Sequence, residues 1–138
     1  MYGVYLNPVN SGFTRIIRKN YIDKTELIRA INQTIDTTEN LICISRPRRF
    51  GKSFAAQMLC AYYDKTCDSH ELFSDYPISE NGNYEKYLNQ YDVIYLDMTN
   101  LLGKVNPKDL VKYITTNVTE EILTAIRKYW KGIRLMRR

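Results

Sequence analysis

Histidine occurs once, at His70, and cysteine three times, at Cys43, Cys60 and Cys67, with no C-x-x-C spacing. An odd, scattered set of thiols argues against a disulfide framework, and one imidazole without paired cysteines argues against a zinc site. Such a chain suits a reducing cytoplasm. Long apolar runs are also missing: nothing approaches the ~20 residues that a membrane-spanning helix needs. Met1 to Phe13 lacks the basic segment and following apolar run of a secretory leader. The expectation is a soluble, cytoplasmic protein with no membrane partner. Acidic residues are outnumbered, 15 Asp and Glu against 20 Lys and Arg, which gives a net charge of +5. That balance is compatible with phosphate-bearing partners without requiring them. Five of the cations lie between Lys128 and Arg138, a stretch that reads as a solvated basic tail.

The 138 residues allow one modest hydrophobic core, and they contain no internal repeat or low-complexity segment. Asp23, followed three residues later by Glu26 and then by Leu27, Ile28, Ile31 and Ile35, predicts a capped amphipathic helix of about three turns. Leu41 to Ile44 is short, apolar and rich in β-branched residues, which predicts a strand. After Ser53, the spacing of Phe54, Ala55, Met58, Leu59 and Tyr62 predicts a helix with one buried face. From Ser74 to Gln90 the sequence is polar and punctuated by Pro77, Asn81, Gly82 and Asn83, so a surface connection is expected. Val93 to Leu96 is a second unbroken apolar run, as in a parallel strand buried on both faces. Asn106 and Pro107 then supply an N-cap and first helical residue, and Leu110, Val111, Ile114, Val118, Ile122, Ile126 and Tyr129 continue at helical spacing. The predicted class is therefore α/β, with helices flanking a parallel sheet.

Between the first predicted strand and its helix lies Ser45-Arg46-Pro47-Arg48-Arg49-Phe50-Gly51-Lys52-Ser53. A phosphate-cradling loop needs a glycine where the backbone passes closest to the anion and a lysine to reach the outer phosphates. It also needs a hydroxyl at the helix start for Mg²⁺, and Gly51, Lys52 and Ser53 meet these requirements. The opening half departs from G-x-x-x-x-G-K-[ST]: Arg46 stands where glycine is usual, and Pro47 removes one amide and confines its predecessor to extended conformations. Arg46, Arg48 and Arg49 can replace lost amide donors with guanidinium contacts to phosphate, or pair with acidic residues elsewhere, or lie in solvent.

Tyr21-Ile22-Asp23-Lys24-Thr25, the arginine-bearing loop and Asp92-Val93-Ile94-Tyr95-Leu96-Asp97 together resemble the signature of the predicted AAA-ATPase-like family, over about Gly12 to Leu102. The resemblance implies a P-loop domain that uses ATP and Mg²⁺, with Arg46, Arg48, Arg49, Phe50, Gly51, Lys52 and Ser53 at the nucleotide and Ser53 also at the metal. It makes the unusual loop opening ordinary for the family. Members usually continue into a Leu-Ile-Asp-Glu-Tyr-Asp strand with the metal-binding and water-activating carboxylates, and many end in a nuclease-like domain of the PD-(D/E)XK type. Neither feature occurs in residues 1–138, so a truncated, N-terminal part of the domain is expected. A complete P-loop domain generally needs roughly 200 residues, because each parallel strand requires its own crossover helix. Asp97 ends a predicted strand but is followed by Met98 rather than Glu, and no catalytic residue is assigned.

Three functional readings are open. The leading one is ATP binding through residues 46–53. The second is a nonenzymatic module that binds nucleic acid or a partner through its basic loops. The third is a remnant without independent activity.

Overall fold

The computed structural model describes the backbone of residues 4–136 and the side chains of residues 4–132, and the chain divides into two compact units. The larger is Asn7–Val93; the other comprises Met1–Leu6 and Ile94–Arg138. Among the described residues there is no sheet, only two isolated bridge pairs, Leu6 with Ile94 and Asp64 with Tyr91. This overturns the expected α/β class with its parallel sheet. Leu41 to Ile44 is irregular and exposed, with Leu41 at 95%. Val93 to Leu96 forms one antiparallel bridge at Ile94, and its residues alternate between half-buried and exposed. An apolar run is held as an inner strand only by ladders on both edges and cover on both faces. Neither run has them.

In the larger unit, α1 (Ser11–Ile17), α2 (Glu26–Asn32) and α3 (Lys52–Tyr63) carry the core, followed by α4 (His70–Phe73), a 3-10 turn (Pro77–Glu80) and α5 (Tyr84–Tyr87). The core is centred on α3, whose Met58, Ala61 and Tyr62 are fully buried against Phe13, Ile28, Phe73 and Ile78. Burying each large apolar side chain contributes roughly 1.5–3 kcal/mol, so this aromatic cluster dominates the unit's stability. α1 packs on α3 at Gly12, where an added Cβ would require the Gln57 side chain to move. Buried phenols need partners, and Asn32 supplies them: its amide donates to Tyr62 Oη at 3.1 Å, and its carbonyl accepts from Tyr63 Oη at 2.6 Å. Tyr62 in turn donates to the Tyr84 carbonyl at 2.8 Å. Burial pushes the Tyr62 hydroxyl up to about 12, fitting a structural hydrogen-bond donor.

The segment read as a polar surface connection, Ser74 to Gln90, also contributes to this core through buried Ile78, Tyr84, Tyr87 and Leu88. Its turn residues are real, but they space out single apolar anchors. The three thiols are unpaired: Cys60 is buried, its pKa raised to about 12 by desolvation, and Cys43 and Cys67 are likewise free.

The second unit contains α6 (Met98–Leu102), a 3-10 turn (Pro107–Asp109) and the long α7 (Leu110–Met136). As expected, Asn106 caps the turn by accepting from the Lys108 amide at 3.2 Å, and Pro107 is its first residue. The amides of Val4, Tyr5 and Leu6 all donate to the Glu121 carboxylate, at 2.8, 2.9 and 2.7 Å. A side chain of α7 thus satisfies backbone donors that a neighbouring strand would otherwise take. The basic stretch from Lys128 continues α7, with the side chains of residues 128–132 exposed; those of residues 133–138 lie outside the described residues.

Candidate functional site

The loop from Arg46 to Ser53 lies wholly within the larger unit and runs directly into α3. Its backbone turns left-handed at Arg49 (φ 66°) and again at Gly51 (φ 75°). Holding a non-glycine residue in that region costs roughly 1 kcal/mol, a strain typical of segments shaped around a ligand. Gly51 is the residue immediately before the helix, and its carbonyl accepts the first intrahelical bond, from Ala55 at 2.9 Å. The amides of Lys52, Ser53 and Phe54 therefore precede the helical ladder. A left-handed residue followed by right-handed helical ones turns successive amides toward one side, the geometry of an anion-binding nest at the positive end of a helix.

Lys52 folds over this turn. Its ammonium donates to the Arg46 carbonyl at 2.6 Å and the Pro47 carbonyl at 3.0 Å. An ammonium has three donors, so two bonds lock the loop and one remains for an anion. Proline at position 47 is compatible with this arrangement, since the loop uses its carbonyl rather than an amide. Arg46, Arg48, Arg49 and Phe50 are exposed, and none of the three arginines joins an ion pair among the described residues. Of the open alternatives, internal pairing with acidic residues is thus not used. Ser53 is exposed in the first turn of α3.

One neighbour of the loop was not assigned from the sequence. At Gly51, an added Cβ would stand 3.0 Å from Lys24 Cε and 3.8 Å from Lys24 Nζ. Lys24, just ahead of α2, therefore passes directly over the glycine of the loop. Its position is set by a chain of contacts. Asp23 Oδ1 accepts from the Thr25 amide at 2.8 Å, the Lys24 amide donates to Tyr21 Oη at 3.1 Å, and Tyr21 Oη donates to Met58 Sδ on α3 at 3.2 Å. The expected Asp23 cap is not formed: the residue before α2 is Thr25, which makes no side-chain cap, Asp23 closes a turn ahead of it, and α2 is two turns rather than three.

Other positions acquire structural roles. Asp97 caps α6 by accepting from the Asn100 amide at 3.0 Å. Tyr62 and Tyr63 belong to the core. Among the described residues, no three His, Cys, Asp or Glu side chains gather to hold a metal, and no helix is long and apolar enough to cross a membrane. An open polar cleft lined by Glu26, Arg29, Pro77 and Gly82 contains none of the loop residues.

A family model described as Predicted AAA-ATPase matches residues 9–133. The chain belongs to the AAA-ATPase-like family. The match includes Tyr21 to Thr25, the whole loop and Asp97, so the two segments that meet at Gly51 both lie within the AAA-ATPase-like region. Membership implies the use of ATP. No curated protein and no solved structure matches the chain.

Proposed function

We propose that this AAA-ATPase-like chain binds ATP through residues 46–53, a variant Walker A loop. The observation that carries the reading is Gly51: it is left-handed at the start of α3, with Lys52 closed over the loop beside it. In this reading the amides at the start of α3 and the Lys52 ammonium face the β- and γ-phosphates. The Ser53 hydroxyl holds Mg²⁺ that arrives with the nucleotide. When bound, Mg²⁺ neutralises part of the phosphate charge. Arg46, Arg48 and Arg49, carrying no ion pairs among the described residues, supply further guanidinium donors. The reading assigns binding; no residue is assigned to hydrolysis.

Titration of a fluorescent ATP analogue tests it. Lys52→Ala should weaken binding about tenfold or more, the value of one charge-assisted contact. Ser53→Ala should chiefly reduce the dependence on Mg²⁺. Equal affinity of wild type and Lys52→Ala would remove the assignment.

One observation favours a second reading, a nucleic-acid interface: Phe50 is 59% exposed among three exposed arginines. An aromatic face between cations can stack on a base. Oligonucleotide binding that falls steeply with salt and ignores both ATP and Lys52→Ala would select it.

A further inference from the structure

We infer that Lys24 is a second phosphate-binding cation of the loop, contributed by the turn that precedes α2. The inference rests on the nucleotide reading above and deepens it by adding a residue from outside the loop.

Glycine at position 51 accommodates φ 75°, and Lys24 Cε lies beside it, 3.0 Å from where a Cβ would stand. A cationic side chain packed against the one residue where an anion would pass closest to the backbone raises the local positive potential. No ion pair holds Lys24 among the described residues, although Asp23 is its immediate neighbour in the chain. The Asp23 carboxylate is engaged instead by the Thr25 amide. Lys24 is half-buried, its methylene stem lying over Gly51 and its ammonium beyond. Lysine commonly buries its stem in this way while its charged end stays free to meet a partner.

Placement is enforced by the core. Tyr21, which receives the Lys24 amide, is packed edge-on against Phe13 at 5.3 Å and against Tyr76 at 5.9 Å. Its hydroxyl reaches Met58 on α3, the same helix that the loop opens into. The turn and the loop are therefore both referenced to α3, so the backbone from which Lys24 reaches is held beside the loop. With Lys52, the loop is flanked by ammonium groups from two separate segments. A purely structural Lys24 would need only its stem.

The test separates these roles and separates this inference from the one beneath it. MgATP and adenosine are titrated calorimetrically against the full chain as wild type, Lys24→Met, Lys24→Arg and Lys52→Ala, with thermal melting of each. Methionine keeps an unbranched apolar stem and removes the charge. Lys24→Met should melt like wild type, bind MgATP about tenfold more weakly, and show a shallower salt dependence, with adenosine affinity unchanged. Lys24→Arg should recover most of the loss. If Lys52→Ala weakens MgATP binding while Lys24→Met matches wild type, Lys24 is only packing and the inference fails. If neither substitution changes MgATP affinity, the nucleotide reading itself fails. Should Lys24→Met prove unstable, Lys24→Gln takes its place: weaker MgATP binding with a shallower salt dependence is expected, and wild-type affinity and salt response overturn the inference.

Discussion

At the scale of the residue, Gly51 carries the most constraint for its size. Its left-handed φ is inexpensive for glycine and costs about 1 kcal/mol for an L-residue. A methyl group there must also displace Lys24, whose Cε is 3.0 Å from the Cβ position. Gly51→Ala should lower stability by about 1–2 kcal/mol in urea melts, and reduce nucleotide affinity in the fraction that remains folded. Unchanged stability would mean that the loop's left-handed turn is not adopted in solution. The glycine, the lysine and the serine of this loop were legible from the sequence because their chemistry depends on adjacent positions. Lys24 was not. Its contact joins segments far apart in the chain, and spacing within either segment says nothing of the other.

Between elements, the tie that responds to pH is His70, the first residue of α4. Its Nδ1 lies 2.7 Å from Asp68 and its Nε2 2.9 Å from Glu85 on α5. Hydrogen bonds to Asp68 and then to Glu85 raise its pKa above the usual imidazole value. A raised folded-state pKa means that the imidazolium stabilises the fold fully below the unfolded-state value, about 6.5, and that this contribution is lost as pH rises through the folded value. The melting temperature of wild type relative to His70→Gln should therefore be higher at about pH 6 than at about pH 8.5. The difference should be small, since the pair is exposed. A difference that grew with pH would contradict this assignment. The helices around this tie were only partly readable. Helical spacing identified α3 and α7 because a periodic apolar face survives in one dimension. Leu41 to Ile44 and Val93 to Leu96 misled because a short apolar run has no period, and strand formation depends on partners that lie elsewhere in the chain. Ser74 to Gln90 misled for the opposite reason: Ile78, Tyr84, Tyr87 and Leu88 are spaced by turn residues, and tyrosine reads as semi-polar although its ring is buried here.

For the whole molecule, burial is uneven between the two units, and this sets an expectation for their dynamics. The core cluster belongs entirely to the larger unit, where α3 buries six of its twelve residues. Along α7 no described side chain is fully buried, and Val111, Leu123, Ile126, Tyr129 and Trp130 are all substantially exposed. In proteins, packing of an apolar face rather than propensity supplies most of a helix's stability. Amide protection tracks the free energy of local opening, so poorly packed elements exchange without unfolding the rest. Hydrogen exchange should therefore find the amides of Lys52–Tyr63 protected up to the global stability of the chain, beyond the unbonded first turn. Those of α7 past Glu121, where the described side chains are mostly exposed, should exchange faster by orders of magnitude. Adding MgATP should slow exchange in the first turn of α3 and leave α7 unchanged, because the proposed site lies within the other unit. Protection of α7 equal to that of α3 at low concentration would show that its apolar face is covered in solution. If that protection appeared only as concentration rose, a second copy of the chain would be the cover.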